Sequence, residues 1–536
     1  MKGSADMLIT DALIQNAKRY PDDVALIERV PEKKIRRELS WSAFEKETNQ
    51  ISQFLRGQHI KKNDRVAILM TNRLEWLPIY FGILRCGAVV VPLNFRFEGL
   101  TIQKCLALTE AKMIFFEPTF NGILTKIKPE LPLLHTWVMV SANEEGDIRP
   151  SFAMSYSKVI SQMSGDSLNV KLVSSEIAGI YFTSGTTAFP KGVVLTHGNL
   201  ASAAQVEIEH HHQTKNDVFL CIPPLYHTGA KMHWFGSLLS GSRAVILRGV
   251  EAQMILETVS EENVSIVWLL VPWAMDVLFA IESGDLKLSD YRIDQWRLMH
   301  IGAQPVPPAL VKKWLEVFPH HQYDTNYGLT ESSGPGCVHL GVENPHKVGA
   351  IGKPGKGWKT RIIDPNGQLV SIGEPGELLV KGPGVMQEYF QNPSETELVL
   401  KEGWLYTGDV AKMDKDGFIW LVDRQKDVII TGGENIYPVE VEDFLRLHPA
   451  VLDVAVIGVP STRLGEITLA VIQPKPNCKV IVSELEQHAK GLPRYKRPRQ
   501  YVLGDVPRNP TGKIEKPKLR KKYSGVEKSF RSEINE

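Results

Sequence analysis

The chain alternates between short apolar runs, which are typical of buried strands, and longer stretches that carry apolar residues at helical spacing. The apolar runs predict strands at residues 64–69, 87–92, 177–182, 193–196, 264–271 and 296–301. The helical spacing predicts helices at residues 10–20, 39–58 and 76–85. Strands that alternate with helices indicate an α/β layer architecture. Residues 120–175 are less regular, and we expect them to form surface connections.

The pattern changes in the last third of the chain. A strand predicted at residues 375–380 belongs to a β-rich subdomain, and a run of polar residues at 423–427 separates two apolar runs. We expect this polar segment to be an exposed linker. The remaining residues predict helices at about 438–447 and 483–490 and strands at 454–460 and 467–473, which is the pattern of a small α+β domain.

Composition places limits on the class of protein. A chain of 536 residues is too long for one hydrophobic core, so two or more domains are expected. The net charge of +1 gives no reason to expect a nucleic-acid partner. The five cysteines are scattered without a Cys-x-x-Cys pair, which favours a reduced, cytoplasmic location. We see no signal peptide and no apolar run long enough to span a bilayer.

One loop, between the strands predicted at 177–182 and 193–196, is rich in hydroxyl side chains and glycine and ends in Lys191. Backbone N–H groups in such a loop can converge on an anion, while hydroxyls add donors and the lysine adds a mobile positive charge. The spacing differs from the P-loop pattern, and a strand rather than a helix follows it. An ordinary polar hairpin is the alternative, but the loop is long for one. We interpret it as a polyphosphate-binding loop.

This loop resembles the phosphate-loop signature of the adenylate-forming superfamily, which includes acyl-CoA synthetases, peptide-synthetase adenylation domains and beetle luciferases. Ala188 departs from the family, which usually has glycine there, and the added methyl group is expected to stiffen the loop. The resemblance extends over nearly the whole chain, motif by motif and in the family's order. The matching loop residues are Thr183, Ser184, Gly185, Thr186, Thr187, Pro190, Lys191 and Gly192.

A second motif, which begins at Asn326, reads Asn-Tyr-Gly-Leu-Thr-Glu. The resemblance implies that Tyr327 stacks on adenine, that Gly328 permits close approach, and that Thr330 contacts the α-phosphate. It also implies that Glu331 binds Mg²⁺, which prefers carboxylate and phosphate oxygens. A helix N-terminus capped by Thr330 is the alternative, and both can hold.

Further nucleotide contacts follow from the same resemblance. Gly302, Ala303 and Gln304, at the end of a predicted strand, are expected to line the adenine. Asp409 is expected to accept hydrogen bonds from the ribose hydroxyls, and Arg424 to reach the ribose. A plain strand-to-helix turn and a turn-forming aspartate are the ordinary alternatives.

The resemblance also implies an acid site. His227 follows two prolines and matches an aromatic gate beside the carboxylate, although a structural histidine is the alternative. The tryptophans of the expected pocket are equally compatible with core positions that face elsewhere. The candidate acyl-pocket residues are His227, Trp234, Trp273, Gly302, Tyr327 and Gly334.

A mobile lid is the last implication of the resemblance. It divides the chain into an adenylation domain, residues 1–424, and a lid domain, residues 425–536, with a hinge near Lys426. Lys513 would join the substrate carboxylate to the α-phosphate, and lid rotation would bring Gly432, Gly433 and Glu434 towards CoA. The neighbouring Lys516, Lys518, Arg520, Lys521 and Lys522 are expected to face solvent.

These implications describe an AMP-forming acyl-CoA synthetase that uses ATP, Mg²⁺ and coenzyme A. Its small-molecule substrate would be a medium-chain, aromatic or alicyclic carboxylic acid, and the enzyme would be a monomer or homodimer. A ligase that loads a carrier protein, a luciferase-like oxidation and a non-catalytic nucleotide-binding regulator remain open. The residues expected to take part in catalysis are Lys191, His227, Thr330, Glu331 and Lys513.

Three consecutive histidines, His210, His211 and His212, raise the question of a metal site. Three adjacent side chains cannot all face one ion on a regular element, and no carboxylate cluster accompanies them in the sequence. We therefore expect a solvated loop.

Overall fold

The computed structural model describes residues 8–141, 146–183, 189–303, 306–431, 434–461, 463–476, 478–509 and 513–523. Its helices are α1 (Ile9–Arg19), α2 (Trp41–Gly57), α3 (Trp76–Arg85), α4 (Gly99–Leu108), α5 (Asn121–Ile127), α6 (Tyr156–Ser161), α7 (His197–His210), α8 (Thr228–Ser240), α9 (Ala252–Glu262), α10 (Val271–Glu282), α11 (Pro308–Val317), α12 (Pro393–Val399), α13 (Pro438–Arg446), α14 (Val482–His488) and α15 (Lys516–Tyr523).

The strands up to residue 339 are β1 (Val24–Val30), β2 (Ile35–Ser40), β3 (Arg65–Leu69), β4 (Val89–Pro92), β5 (Met113–Phe116), β6 (Thr136–Met139), β7 (Met154–Ser155), β8 (Ile177–Thr183), β9 (Lys191–Thr196), β10 (Val218–Cys221), β11 (Arg243–Leu247), β12 (Ile266–Leu270), β13 (Leu298–Gly302), β14 (Gln322–Asp324), β15 (Asn326–Leu329) and β16 (Gly334–His339). The later strands are β17 (Lys353–Pro354), β18 (Lys359–Ile363), β19 (Gly376–Lys381), β20 (Glu388–Tyr389), β21 (Leu400–Lys401), β22 (Trp404–Met413), β23 (Ile419–Arg424), β24 (Ile429–Thr431), β25 (Glu434–Ile436), β26 (Val451–Ser461), β27 (Gly465–Pro474) and β28 (Gln500–Leu503).

Two large sheets organise the first part of the chain. One has the strand order β14-β13-β12-β10-β11-β1-β2 and is parallel except for the β1–β2 pair. The other has the order β20-β9-β8-β4-β3-β5-β6-β7, and its β3 to β8 neighbours are parallel. Continuous apolar runs suit these strands because helices cover both faces of a parallel sheet.

The hydrophobic cores show how the layers stack. The largest core joins the facing sides of both sheets to α1, α2, α3, α7 and α8, so these helices lie between the sheets. A second core packs α9, α10 and α11 on the outer face of one sheet, and a third packs α4 and α5 on the outer face of the other. The result is a layered α/β arrangement, as the sequence predicts.

Smaller sheets complete the chain. Strands β15, β16 and β17 form an antiparallel sheet, and β18, β19, β21, β22 and β23 form a second one, which is the predicted β-rich subdomain. Strands β24 to β28 form a separate sheet that packs with α13, α14 and α15 in two cores of its own. This last unit has the predicted α+β composition. The boundary after residue 424 and the hinge at Lys426 stay predictions.

Residues 120–175 do not form surface connections alone. Strand β6 lies between β5 and β7 in the eight-stranded sheet, and all four of its residues are buried. The expectation failed because a four-residue apolar run has too few positions to reveal a period.

The polar segment 423–427 is not an exposed linker throughout. Asp423 and Asp427 are 6% and 9% exposed. Asp423 accepts a hydrogen bond from the Val439 backbone N–H at 2.9 Å, and Asp427 pairs with Arg520 at 2.7 Å. The prediction was wrong for these aspartates because each carboxylate finds a donor contributed by the last unit of the chain.

Two basic residues near the end of the chain also differ from expectation. Lys516 is buried and pairs with Glu442 at 2.8 Å, and Arg520 pairs with Asp427. They were expected to face solvent, but α15 turns both towards acidic partners. Within the described part of the chain, every helix is too short or too polar to cross a membrane.

Candidate active site

The predicted phosphate loop connects two antiparallel strands, β8 and β9. Thr183 lies opposite Lys191 in the register, so the two ends of the loop are held together by the sheet. The other expected phosphate-binding residues, Ser184, Gly185, Thr186 and Thr187, lie outside the described residues, as does Ala188. The loop is therefore a hairpin connection, and its anchoring strands continue into a sheet buried on both faces.

Lys191 is linked to Glu331 through an aromatic side chain. The Lys191 ammonium group contacts the Glu395 carboxylate and lies 5.0 Å from the centre of the Tyr389 ring. The Tyr389 hydroxyl donates to Glu331 Oε1 at 2.8 Å. Burial and the nearby Glu331 carboxylate raise the pKa of Tyr389, so its hydroxyl remains a donor. Sequence analysis missed Tyr389 and Glu395, which carry no motif of their own.

Tyr327, Asp409 and Arg424 form a second connected group. The Tyr327 hydroxyl donates to Asp409 Oδ2 at 2.6 Å, and Arg424 Nε lies 3.2 Å from Asp409 Oδ1. Asp409 and Arg424 are directly opposite each other in the β22–β23 register, so the sheet itself brings them together. Burial lowers the pKa of Arg424, but the negative groups around it, Asp409 foremost, together outweigh burial and raise the pKa.

Lys513 reaches this region from the last unit of the chain. Burial and the Arg424 guanidinium lower the pKa of Lys513 to about 8, whereas Asp409 and Glu331 act in the opposite direction. Its backbone N–H donates to Asn509 Oδ1 at 2.9 Å, which holds the loop that presents it. The ammonium group thus lies in the electrostatic field of both connected groups.

His227 stands at the N-terminal end of α8 and is half-buried. Burial lowers the pKa of His227 to about 3, and Lys231 and Lys513 act in the same direction, so the imidazole is neutral at physiological pH. The loop is fixed by the buried Lys231, whose ammonium group donates to the backbone oxygens of Leu225 at 3.0 Å and His227 at 3.1 Å. His227 Nε2 has no partner among the described residues.

Gly302, at the end of β13, leaves room for a group in ordinary van der Waals contact with Asn326 and Trp268. A Cβ atom added to Gly302 would come no nearer than 3.9 Å to the Asn326 oxygens and Trp268 Nε1. The indole N–H of Trp268 is buried and without a partner among the described residues. The next residue, Ala303, has a φ of 67°, so the backbone turns sharply after the strand. Gln304 lies outside the described residues.

Two of the predicted acyl-pocket residues, Trp234 and Trp273, differ in their surroundings. Trp234 packs among Phe44 and Phe81 in the central core, which favours the core position that the sequence left open. Trp273 lies in the first turn of α10, is half-buried and contacts two cores.

The motif that begins at Asn326 forms a strand, β15, which is followed by a short turn. Asn326 and Gly328 belong to β15, and Asn326 donates to Glu207 Oε1 at 2.9 Å. Thr330 begins a 3-10 turn that also carries Glu331, so it does not cap an α-helix. Glu434 is exposed on β25, and Gly432 and Gly433 lie outside the described residues.

The hairpin expected to bind phosphate thus lies in one region with two lysines, Lys191 and Lys513, the Glu331 carboxylate and the Tyr389 ring. The family description "AMP-binding enzyme" matches residues 13–390, and "AMP-binding enzyme C-terminal domain" matches residues 440–513. This chain belongs to the AMP-binding enzyme family. The family is that of the adenylate-forming enzymes expected from the sequence. The relatives named as CoA ligases make the chain an acid–thiol ligase that forms AMP and uses ATP and CoA.

The relatives of this AMP-binding enzyme include proteins that are named CoA ligases. It is 30% identical over 485 residues to the long-chain-fatty-acid–CoA ligase FadD13 of Mycobacterium tuberculosis, with 89% of this chain and 92% of the relative covered. It is 30% identical over 523 residues to the indoleacetate–CoA ligase of Aromatoleum aromaticum, with 96% and 98% covered. The crystal structure of the anthranilate CoA ligase AuaEII in complex with anthranoyl-AMP is 25% identical, with a TM-score of 0.88 over 97% of this chain and 99% of that one. The predicted fold class is thereby confirmed.

Proposed function

We propose that this AMP-binding enzyme activates a compact aromatic or alicyclic carboxylic acid as its acyl-AMP and then transfers the acyl group to CoA. The observation that carries the proposal is the position of Lys513, within the field of Glu331, Asp409 and Arg424. A carboxylate must meet a polyphosphate in the first step, and two anions approach each other only where cations neutralise them.

The adenylation step is assigned to three charged side chains. Lys191 lies at the base of the phosphate loop and stabilises the departing pyrophosphate. Lys513 approaches from the other side and holds the acid carboxylate against the α-phosphorus. One Glu331 oxygen accepts the Tyr389 hydrogen bond, and a carboxylate retains further lone pairs that suit Mg²⁺. The ion would add positive charge at the phosphate oxygens.

Nucleotide binding is assigned to the group formed by Tyr327, Asp409 and Arg424. A carboxylate offers about four lone-pair positions, and Tyr327 and Arg424 engage one oxygen each. The remaining positions are available to the ribose hydroxyls. Thr330 takes the α-phosphate contact. The backbone of Gly302 and Ala303 and the edge of Asn326 line the base, together with the Tyr327 ring.

The second step uses the same lid domain in another orientation. A thiol must reach the acyl carbonyl where Lys513 stands, so the lysine has to leave. We assign the pivot to Lys426, which is exposed in the 3-10 turn that follows Arg424. Glu434, exposed on the same unit, would then approach CoA. The cytoplasmic location expected from the scattered cysteines stays a prediction.

The surroundings of Gly302 support a compact acid. Trp268 is close to two glycines of this region, because its Nε1 would lie 3.9 Å from a Cβ atom on Gly302 and its Cη2 would lie 3.0 Å from a Cβ atom on Gly229. Behind the indole lie the buried polar side chains of His233, at 4.4 Å between ring centres, and His300, at 6.4 Å. A long alkyl chain directed this way would have to displace polar groups, which disfavours it.

The choice of acid can be tested by ATP–pyrophosphate exchange. The panel runs from acetate to palmitate and includes benzoate, cinnamates, arylacetates and cyclohexane carboxylates, each repeated with CoA. We expect the highest kcat/KM for a ring-containing acid, with CoA-dependent release of AMP. A maximum with palmitate would overturn the compact pocket. Exchange without CoA turnover would indicate a carrier protein as acceptor, and absence of exchange with every acid would favour a nucleotide-binding regulator.

A further inference from the structure

A second cluster of reactive side chains lies buried behind Trp268. Glu207 lies in the last turn of α7, His211 directly follows that helix, His233 lies on α8, and His300 lies on β13. Each of the four is at most 2% exposed. One donor atom from each lies within 4.8 Å of the others. The expectation of a solvated loop at His210–His212 was therefore wrong for His211, although His212 is exposed.

The separations match those of ligands that share one ion. His211 Nε2 lies 3.0 Å from His300 Nδ1 and 3.5 Å from Glu207 Oε2. His233 Nδ1 lies 2.7 Å from Glu207 Oε2. Tetrahedral zinc with bonds of about 2.0–2.2 Å places neighbouring ligand atoms about 3.3 Å apart. Little rearrangement would bring the four atoms around a common centre.

Hydrogen bonding among the described residues leaves this cluster incomplete. The 2.7 Å contact between His233 Nδ1 and Glu207 Oε2 does not form a hydrogen bond, so Glu207 Oε2, both nitrogens of His233 and His300 Nε2 are buried without a hydrogen-bond partner. Such orphaned groups are uncommon in protein interiors and call for an explanation. A metal ion bound by the carboxylate and by one nitrogen of each imidazole would satisfy Glu207 Oε2 and His233 Nδ1, and it would replace the hydrogen bond between His211 Nε2 and His300 Nδ1.

The charges lead to the same conclusion. Glu207 and Asp324 are fully buried carboxylates, and their ion-pair contacts among the described residues are with histidines only. Asp324 Oδ2 lies 3.2 Å from His211 Nε2 and 3.4 Å from His300 Nδ1. Buried carboxylates require a compensating charge, and one divalent cation would balance both.

The surroundings hold the candidate ligands in place. Asn326 donates to the other Glu207 oxygen at 2.9 Å. The Gly341 backbone N–H donates to Asp324 Oδ1 at 2.9 Å. Supporting hydrogen bonds of this kind orient ligands in metal sites. The four ligands come from three elements, so an ion would tie α7 and α8 to β13 behind the acid pocket.

A polar group of the substrate is a less suitable occupant. Three pairs of these donor atoms lie 2.7–3.5 Å apart and all four lie within 4.8 Å, which leaves no room for a carbon-bearing group between them. The Trp268 ring also packs against the cluster, 4.4 Å from the His233 ring, and its Nε1 would lie 3.9 Å from a Cβ atom on Gly302.

We propose that Glu207, His211, His233 and His300 bind one divalent transition-metal ion, with zinc the best match to three imidazoles and a carboxylate in a closed, buried site. The site is separate from the Mg²⁺ assigned to Glu331. It acts as a brace and takes no part in the chemistry of adenylation.

The test uses the whole enzyme without ATP. Wild-type protein is dialysed and its metal content measured by mass spectrometry, with about one equivalent of zinc expected per chain. The metal is then removed with a chelator, and Co²⁺ is titrated while the visible bands of tetrahedral Co²⁺ are recorded. We expect one equivalent to bind and zinc to displace it. An octahedral spectrum, or no stoichiometric binding of either ion, would overturn the site and leave a proton-sharing network.

Two variants test whether the ion binds at these four residues. His300→Gln should weaken Co²⁺ binding at least about 100-fold, and His212→Gln, next to His211 but exposed, should bind as the wild type does. Full retention by His300→Gln, or equal loss in His212→Gln, would contradict the assignment. If His300→Gln does not fold, the Co²⁺ spectrum of the wild-type protein still decides between the outcomes.

Discussion

Tyr327 donates a hydrogen bond to Asp409 Oδ2 across 2.6 Å, and both side chains are buried. Burial and the Asp409 carboxylate raise the pKa of Tyr327, so the phenol keeps its proton. Arg424 engages the other oxygen of Asp409. One carboxylate thus fixes the ring expected to stack on the base and the guanidinium expected to reach the ribose.

Asp409→Asn should raise the KM for ATP about 10-fold to 100-fold, the equivalent of one or two charge-assisted hydrogen bonds. The amide loses the charge that holds Arg424 and places an N–H₂ group opposite one of two donors. The measurement is ATP–pyrophosphate exchange at varied ATP. Asp416→Asn is the matched control, because Asp416 is exposed and pairs with Lys347 at the surface. An unchanged KM in Asp409→Asn would remove Asp409 from the nucleotide site.

Lys513→Ala should abolish adenylation and spare thioester formation. Loss of the ammonium group removes a preorganised charge from the approach of two anions, so exchange should fall about 1,000-fold or more. Transfer from preformed acyl-AMP to CoA should stay within about threefold of wild type, since the proposed lid movement takes Lys513 out of the site for that step. Lys518→Ala is the control, because Lys518 is exposed and its ion pair is with nearby Glu515. Equal loss of both half-reactions would contradict the proposed lid movement.

The pH dependence of exchange should report Lys513. The pKa of Lys513 is lowered to about 8, so the ammonium form predominates below that pH and is lost as the pH rises through it. The kcat/KM for the acid should therefore decline above about pH 8, because this ratio follows the free enzyme.

Two controls separate this decline from other titrations. Lys513→Arg should be slower but without the alkaline decline, because a guanidinium stays charged. The pKa of His227 is lowered to about 3, so its titration should not change kcat/KM above about pH 5. A decline that persists unchanged in Lys513→Arg would assign the titration to another group.

Tyr389→Phe tests the link between the phosphate loop and the expected Mg²⁺ ligand. Removing the hydroxyl releases Glu331 Oε1 and leaves the ring that faces Lys191. We expect exchange to fall about 10-fold and the Mg²⁺ concentration for half-maximal rate to rise, because the carboxylate is no longer oriented. Tyr495→Phe, an exposed position, should behave as wild type. A rate loss that is independent of Mg²⁺ would separate Tyr389 from the ion.

Local pattern was sufficient for much of the fold. The helix predicted at 76–85 coincides with α3, and the strands predicted at 454–460 and 467–473 lie within β26 and β27. Each is long or strongly apolar, so its period or its burial dominates. Strand β6 is four residues long, and only its neighbours β5 and β7 define it.

Contacts between distant residues could not be predicted in the same way. His211 and His300 meet at 3.0 Å although they lie 89 positions apart. Considered alone, the run His210–His212 gave the wrong environment for His211, because its partners come from α8 and β13. Tyr389 likewise gains its position from pairing of β20 with β9, which no motif announces. The resemblance supplied Tyr327, Asp409 and Arg424, and their roles stay proposals until tested.

A substitution at Gly334, the first residue of β16, would test how closely that strand must approach the proposed acid site. Its φ is 94°, and a Cβ atom would lie 3.1 Å from the Gly229 nitrogen and the Thr228 carbonyl carbon. These are backbone atoms at the start of α8, next to His227, so neither can move aside as a side chain could. Gly334→Ala should lower the free energy of unfolding by more than the roughly 1–3 kcal/mol that a strained backbone conformation costs alone, because the collision adds to the strain.

The same substitution should displace the start of α8 and raise the KM for the acid more than the KM for ATP. Gly367→Ala is the matched control, because Gly367 has a φ of 81° but no atom within 4 Å of the added Cβ. Gly367→Ala therefore measures the loss of stability that comes from the positive φ alone, because the added Cβ contacts no other atom. Unfolding in urea and exchange kinetics would be measured on both variants. If the two lose equal stability and Gly334→Ala keeps the wild-type KM for the acid, then the close approach of β16 to α8 does not shape the acid site.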